Sequence, residues 1–167
     1  MTPGARAVSR PNKYGDMMNI TVEVKGKPEL MRRLKQAGVD VSDMRAELKD
    51  VGGYLKDFYT RDVFDTRGQV INAEWAPLNL KYRQYKQKKA PGKGPLEFTG
   101  TMRDSFYSKL GKNQVEVGNM VDYFKYHQLG TRTIPARRMI KLDYARKEKI
   151  VDIFEGGLKK RLAKAWR

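Results

Sequence analysis

The sequence predicts an α+β domain: a small antiparallel sheet of about four strands packed against helices, with an extended N-terminal arm and a long basic loop. Three observations predict it. Asn19 to Lys25 alternate Ile20, Val22 and Val24 with polar side chains, the period of a half-buried strand. Met44, Leu48, Val51, Leu55 and Phe58 recur at alternating spacings of four and three, the stripe of an amphipathic helix. Phe106 to Leu110 and Gln114 to Gly118 flank Gly111, Lys112 and Asn113 as the arms of a hairpin. At 167 residues the chain has the size of a single domain, read here as residues 17–167 behind an arm at 1–16.

The elements follow in order. Pro3, Gly4, Pro11 and Gly15 interrupt any periodicity in the arm. After the first strand, Pro28 suits the first position of a short helix whose Leu30, Leu34 and Ala37 share a face and which Gly38 closes. Ser42 can cap the longer helix that carries the apolar stripe. Gly52 and Gly53 lie inside it at about 1 kcal/mol each relative to alanine, which points to close approach of another element. Residues 65–97 read as the long basic loop, with a helical turn over Tyr82 to Lys89 and one end pinned to the core by Trp75, Pro77 and Leu78. Thr99 can cap a short helix ending near Ser105, and the hairpin follows. Tyr123, Phe124, Tyr126 and Leu129 put an apolar stripe on a short helix that Gly130 ends. Arg138 to Leu142 reads as a last strand. Asp143 caps a closing helix over 143–167, with Ile150, Phe154, Leu158 and Leu162 on one face and Gly156 and Gly157 as a division.

Composition removes several classes of function. There is no cysteine, hence no disulfide framework, thiolate nucleophile or cysteine-ligated zinc. No apolar run approaches the roughly 20 residues of a membrane span, and the first ten residues have no apolar stretch behind their bases, so neither a membrane anchor nor a secretion signal is read. The formal charge of +16, from 35 Lys and Arg against 19 Asp and Glu, calls for an acidic or polyanionic partner. Basicity concentrates in the arm, in Lys81 to Lys93, in 132–149 and in the terminal Lys159 to Arg167.

Three stretches carry the most information: EWAPLNLKY from Glu74 to Tyr82, LEFTGTMRDSF from Leu96 to Phe106, and YFKYHQLGTRTIPARRMIKL from Tyr123 to Leu142. The succession of W-x-P-L with a following tyrosine and lysine-rich run, L-x-x-T-G-x-M-x-x-S, a V-x-V-G strand, an aromatic-H-Q-x-G-T turn and P-A-R resembles the phage virion morphogenesis family, the Mu-type tail-completion proteins. The resemblance spans Phe64 to Leu142, with Met102 where leucine is more usual, a volume-conserving change. It implies a structural protein of the virion neck, assembled in the host cytoplasm, that completes the tail end or joins tail to head. It also implies a ring of identical subunits, six to match the tail, with connector, neck and tail-tube proteins as partners.

No residue set supports catalysis. His127 titrates near neutrality but has no cysteine or second histidine with it, and Asp62, Asp65 and Glu74 lack metal-ligand spacing. No catalytic, cofactor or metal residue is assigned. Interface residues are expected in the basic loop (Tyr82, Tyr85, Lys86, Lys88, Lys89 and Lys93), in the turn (His127, Gln128, Thr131, Arg132, Arg137 and Arg138) and at the end (Lys159, Lys160, Arg161, Lys164 and Arg167). Trp75, Leu78, Tyr82, Phe98, Met102, Tyr123, Phe124 and Leu129 are expected mainly at the core or its edge. The rival class is a basic, non-enzymatic nucleic-acid-binding protein, in which loop lysines neutralise phosphates while Tyr82 and Tyr85 stack on bases. Non-specific contact with packaged DNA is compatible with either.

Overall fold

The computed structural model describes residues 6–8, 18–25, 28–39 and 41–165. The fold is α+β. Its sheet has the order β1-β2-β4-β3, all antiparallel, formed by β1 (Arg6–Val8), β2 (Asn19–Glu23), β3 (Phe106–Leu110) and β4 (Gln114–Asn119). Apart from β1, the arm expected over 1–16 lies outside the described residues.

Register explains which face is buried. Val22 pairs with Val115, Ile20 with Val117, Ser108 with Val117 and Phe106 with Asn119, so these residues share one face. Helix α2 (Arg45–Thr60) lies across that face and buries Leu48, Val51, Leu55 and Phe58, the predicted stripe. Gly52 is the point of closest approach. A Cβ there would sit 2.2 Å from Ser108 Oγ and 2.6 Å from a Val115 methyl, whereas one at Gly53 would meet nothing within 4 Å. The cap differs from expectation: Met44 holds the cap position, and Asp43 Oδ1, in place of Ser42, accepts from Arg45 N at 2.9 Å.

The other face of the sheet is polar, with Tyr107 donating to Glu116 at 2.6 Å. Carboxylate contact and burial push the Tyr107 phenol up to about 12, burial being the larger cause. Beyond α2, Phe106 meets the rings of Tyr59, Phe64 and Phe124 at 5.8 to 6.2 Å, extending the core toward the second half of the chain.

Two expectations are corrected here. The long loop is partly structured: directly after α3 (Asp62–Asp65) it holds a 3-10 turn (Gln69–Ile71) and the ten-residue α4 (Leu80–Lys89). Arg138 to Leu142 is not a strand and joins no ladder among the described residues. Side chains satisfy its backbone instead. Trp75 Nε1 donates to Arg138 O at 2.7 Å and Tyr59 to Lys141 O at 3.1 Å. Gln128 accepts from Met139 N and Ile140 N at 2.7 and 3.1 Å and donates to Ile140 O at 2.6 Å.

The remaining helices are α1 (Pro28–Gln36), α5 (Thr101–Asp104), α6 (Phe124–Leu129) and α7 (Tyr144–Ala165). Asp143 caps α7 through Arg146 N at 2.9 Å, as predicted. The helix runs on through Gly156 and Gly157. A Cβ on Gly157 would come within 2.4 Å of Glu47, so that glycine makes room for the pair in which Arg161 grips Glu47 with two bonds of 2.9 and 2.8 Å.

Candidate docking cleft

The three information-rich stretches meet in space. Arg137 stitches two of them: its Nε donates to Ala76 O at 2.8 Å, its Nη2 to Pro77 O at 3.1 Å, and its own amide to His127 O at 2.6 Å. Asn79 caps α4 by accepting from Tyr82 N at 2.8 Å. The far end of α4 is held by Lys86, whose ammonium donates to Gly94 O. Glu97 then accepts from Gly94 N and from Arg103, which also reaches Asp65, so the segment before α5 is fixed by an ionic chain. Gly100 turns the chain into α5 at φ 88°, a conformation that strains other residues and that leaves Thr99 outside the cap position.

Between α4, the 94–99 segment, α6 and the 131–137 turn lies a cleft of about 580 Å³. Its walls include Leu78, Tyr82, Phe98, Met102, Tyr123 and Ile134. Tyr82, Phe98 and Tyr123 are 42 %, 40 % and 45 % exposed, so these rings rim the opening and do not fill the core. Leu129 is likewise exposed, because α6 turns Phe124 and Gln128 inward and its remaining apolar residues face out. Trp75, Met102 and Phe124 are buried as expected. Tyr85 stacks between Tyr82 and Phe98 with centroids 6.2 and 6.5 Å apart, making a ladder of three rings along α4.

The cleft is electropositive from below. Lys86 and Arg137 are 3 % and 5 % exposed and border the space, and no carboxylate among the described residues pairs with either. Burial lowers the Lys86 pKa, Glu97 opposes that and Arg137 adds to it. His127 also lines the cleft; burial, and then the Arg137 charge, lower its pKa and favour neutral imidazole, and its Nδ1 is buried without a hydrogen-bond partner.

The expected interface residues therefore divide. Tyr82, Tyr85, Lys88, Lys89, Lys93, Thr131, Arg132, Arg138, Lys159, Lys160 and Lys164 are exposed. Lys86, Gln128 and Arg137 are buried within the subunit, where they hold backbone carbonyls and amides, and Arg161 ties α7 to α2. Arg167 lies outside the described residues. Phe98 and Tyr123, expected at the core or its edge, are surface groups instead. For Tyr123 a signal exists: it stands four residues before His127, on a different face from the buried Phe124 and Gln128.

Among the described residues no group of His, Asp or Glu is placed to hold a metal ion, and no helix is long and apolar enough to cross a membrane. A model of the phage virion morphogenesis family matches residues 26–159, a span that includes every wall of the cleft. The chain belongs to that family. No curated protein and no solved structure matches it. Phage virion morphogenesis proteins are structural, and this chain's role lies in building the virion. Within the family match, three of the stretches that carry the resemblance, 74–82, 96–106 and 123–142, contribute to the cleft, while the V-x-V-G strand lies in β4 away from it.

Proposed function

We propose that this protein acts at the phage neck, completing the tail end or joining the tail to the head, as a ring of identical subunits, six to match the tail. The observation that carries the reading is the family match over residues 26–159, within which the stretches 74–82, 96–106 and 123–142 meet at a surface cleft and its adjoining turn. Subunits of a closed ring contact one another through unlike surfaces, which suits a chain with a basic helix end on one side and an aromatic rim on another. Exposed Arg132, Arg138, Lys159 and Lys160 then meet acidic faces of neighbours, the connector or the tail tube. Electron microscopy of particles made without this chain tests the reading. Full heads beside separate tails, or tails of uncontrolled length, are expected; normally joined particles would overturn it.

The ladder of Tyr82 and Tyr85 on lysine-rich α4, continued by Phe98 from the following segment, favours a second reading, a platform for single-stranded nucleic acid. It requires affinity that falls steeply with salt and a slope that flattens when Lys81, Lys88 and Lys89 are removed together.

A further inference from the structure

Two cations border the cleft with no carboxylate paired to either among the described residues: carbonyl oxygens hold both, and the Lys86 ammonium also lies 6.0 Å from the centroid of the Phe98 ring. The hydrogen bonds of Lys86 and Arg137 go to the carbonyl oxygens of Gly94, Ala76 and Pro77. Neutral carbonyls compensate a buried charge less fully than a carboxylate does, and the two cations depress each other's stability. Glu97, the acid whose field reaches Lys86, is already engaged by Arg103 and by Gly94 N. Beside these cations the lining includes Leu78, Leu96, Met102 and Ile134 together with polar Asn79, Thr99 and Thr133, and the partly exposed rings of Tyr82, Phe98 and Tyr123 stand at the rim. A complementary occupant brings an anion to the cations and an apolar side chain to the rings.

We infer that the cleft docks an acidic, aromatic-bearing peptide segment of another virion protein, a carboxylate meeting Lys86 and Arg137 while the neighbouring ring packs between Tyr82, Phe98 and Ile134. This rests on the assembly reading above. A second copy of the chain suits the cleft poorly. The chain carries 35 bases against 19 acids, and Glu29, Glu47, Asp65, Glu97 and Glu155 are already in ion pairs.

The test is a nuclear magnetic resonance titration of the full chain at physiological salt. The probes are a blocked pentapeptide alternating aspartate and phenylalanine, the same peptide with asparagine for aspartate, and single-stranded oligothymidine. Shifts are expected to cluster at residues 78–86, 96–102 and 127–137. The asparagine peptide should bind about tenfold more weakly, the equivalent of one charge-assisted hydrogen bond. Tyr82→Ala and Phe98→Ala, both at exposed positions, should each weaken the acidic peptide about fivefold. Equal affinity for the two peptides would overturn the inference on the wild-type chain alone. Shifts spread over Lys159 to Lys164, or displacement of the acidic peptide by oligothymidine, would also overturn it. None of these results alters the particle phenotype, so the cleft and the assembly role fail separately.

Discussion

Gln128 offers the sharpest test of how the cleft is held. Its amide satisfies Met139 N, Ile140 N and Ile140 O, and the side chain is 5 % exposed. Gln128→Met keeps the volume but strands all three backbone groups. Each unpaired buried group costs about 1–3 kcal/mol, and partial rescue by water brings the total to about 4 kcal/mol. For a domain of this size that corresponds to a fall in melting temperature of roughly 8–16 °C. Gln128→Ala adds a cavity and should fall further, while Gln87→Ala on the exposed surface of α4 should stay within about 0.5 kcal/mol of wild type. Urea unfolding followed by tryptophan fluorescence and circular dichroism measures all three. A Gln128→Met protein within about 1 kcal/mol of wild type would refute the claim that side-chain bonds replace a ladder here.

Two further predictions concern packing and pH. Gly52→Ala should destabilise by about 2 kcal/mol or more, because the new methyl meets Ser108 and Val115, whereas Gly53→Ala should stabilise by about 0.5–1 kcal/mol through helix propensity alone; paired thermal melts compare them. His127 has a depressed folded-state pKa, from burial first and Arg137 second. The unfolded chain thus binds the proton more readily, and stability, full above about pH 6.5, declines as pH falls through the folded value. His127→Gln should flatten that decline in unfolding midpoints taken between about pH 7 and pH 5.5.

The parts of the fold that could be read from the sequence are those whose pattern repeats locally. The α2 stripe, the hairpin and the Asp143 cap each declare themselves within a few turns or strands of chain. Arg138 to Leu142 misled because its alternation is that of a strand, while its state is decided by Tyr59, Trp75 and Gln128, delivered from elsewhere in the chain. Lys86 and Arg137 look like their basic neighbours in sequence; only the carbonyls of Gly94 and Ala76 distinguish them, and those are brought by folding. In α6, six residues are too few for periodicity to choose between two faces, so Tyr123 and Leu129 were assigned inward.

The bonds that build the cleft span the chain: Arg137 reaches back 61 residues to Ala76, and Trp75 forward 63 to Arg138. No short excerpt of the sequence contains both sides of it. A peptide copied from α4 or from the 123–142 stretch would carry the right letters and none of the shape. On the docking proposal, a partner of this cleft meets only the completed polypeptide, and its binding would also report that the subunit has finished folding.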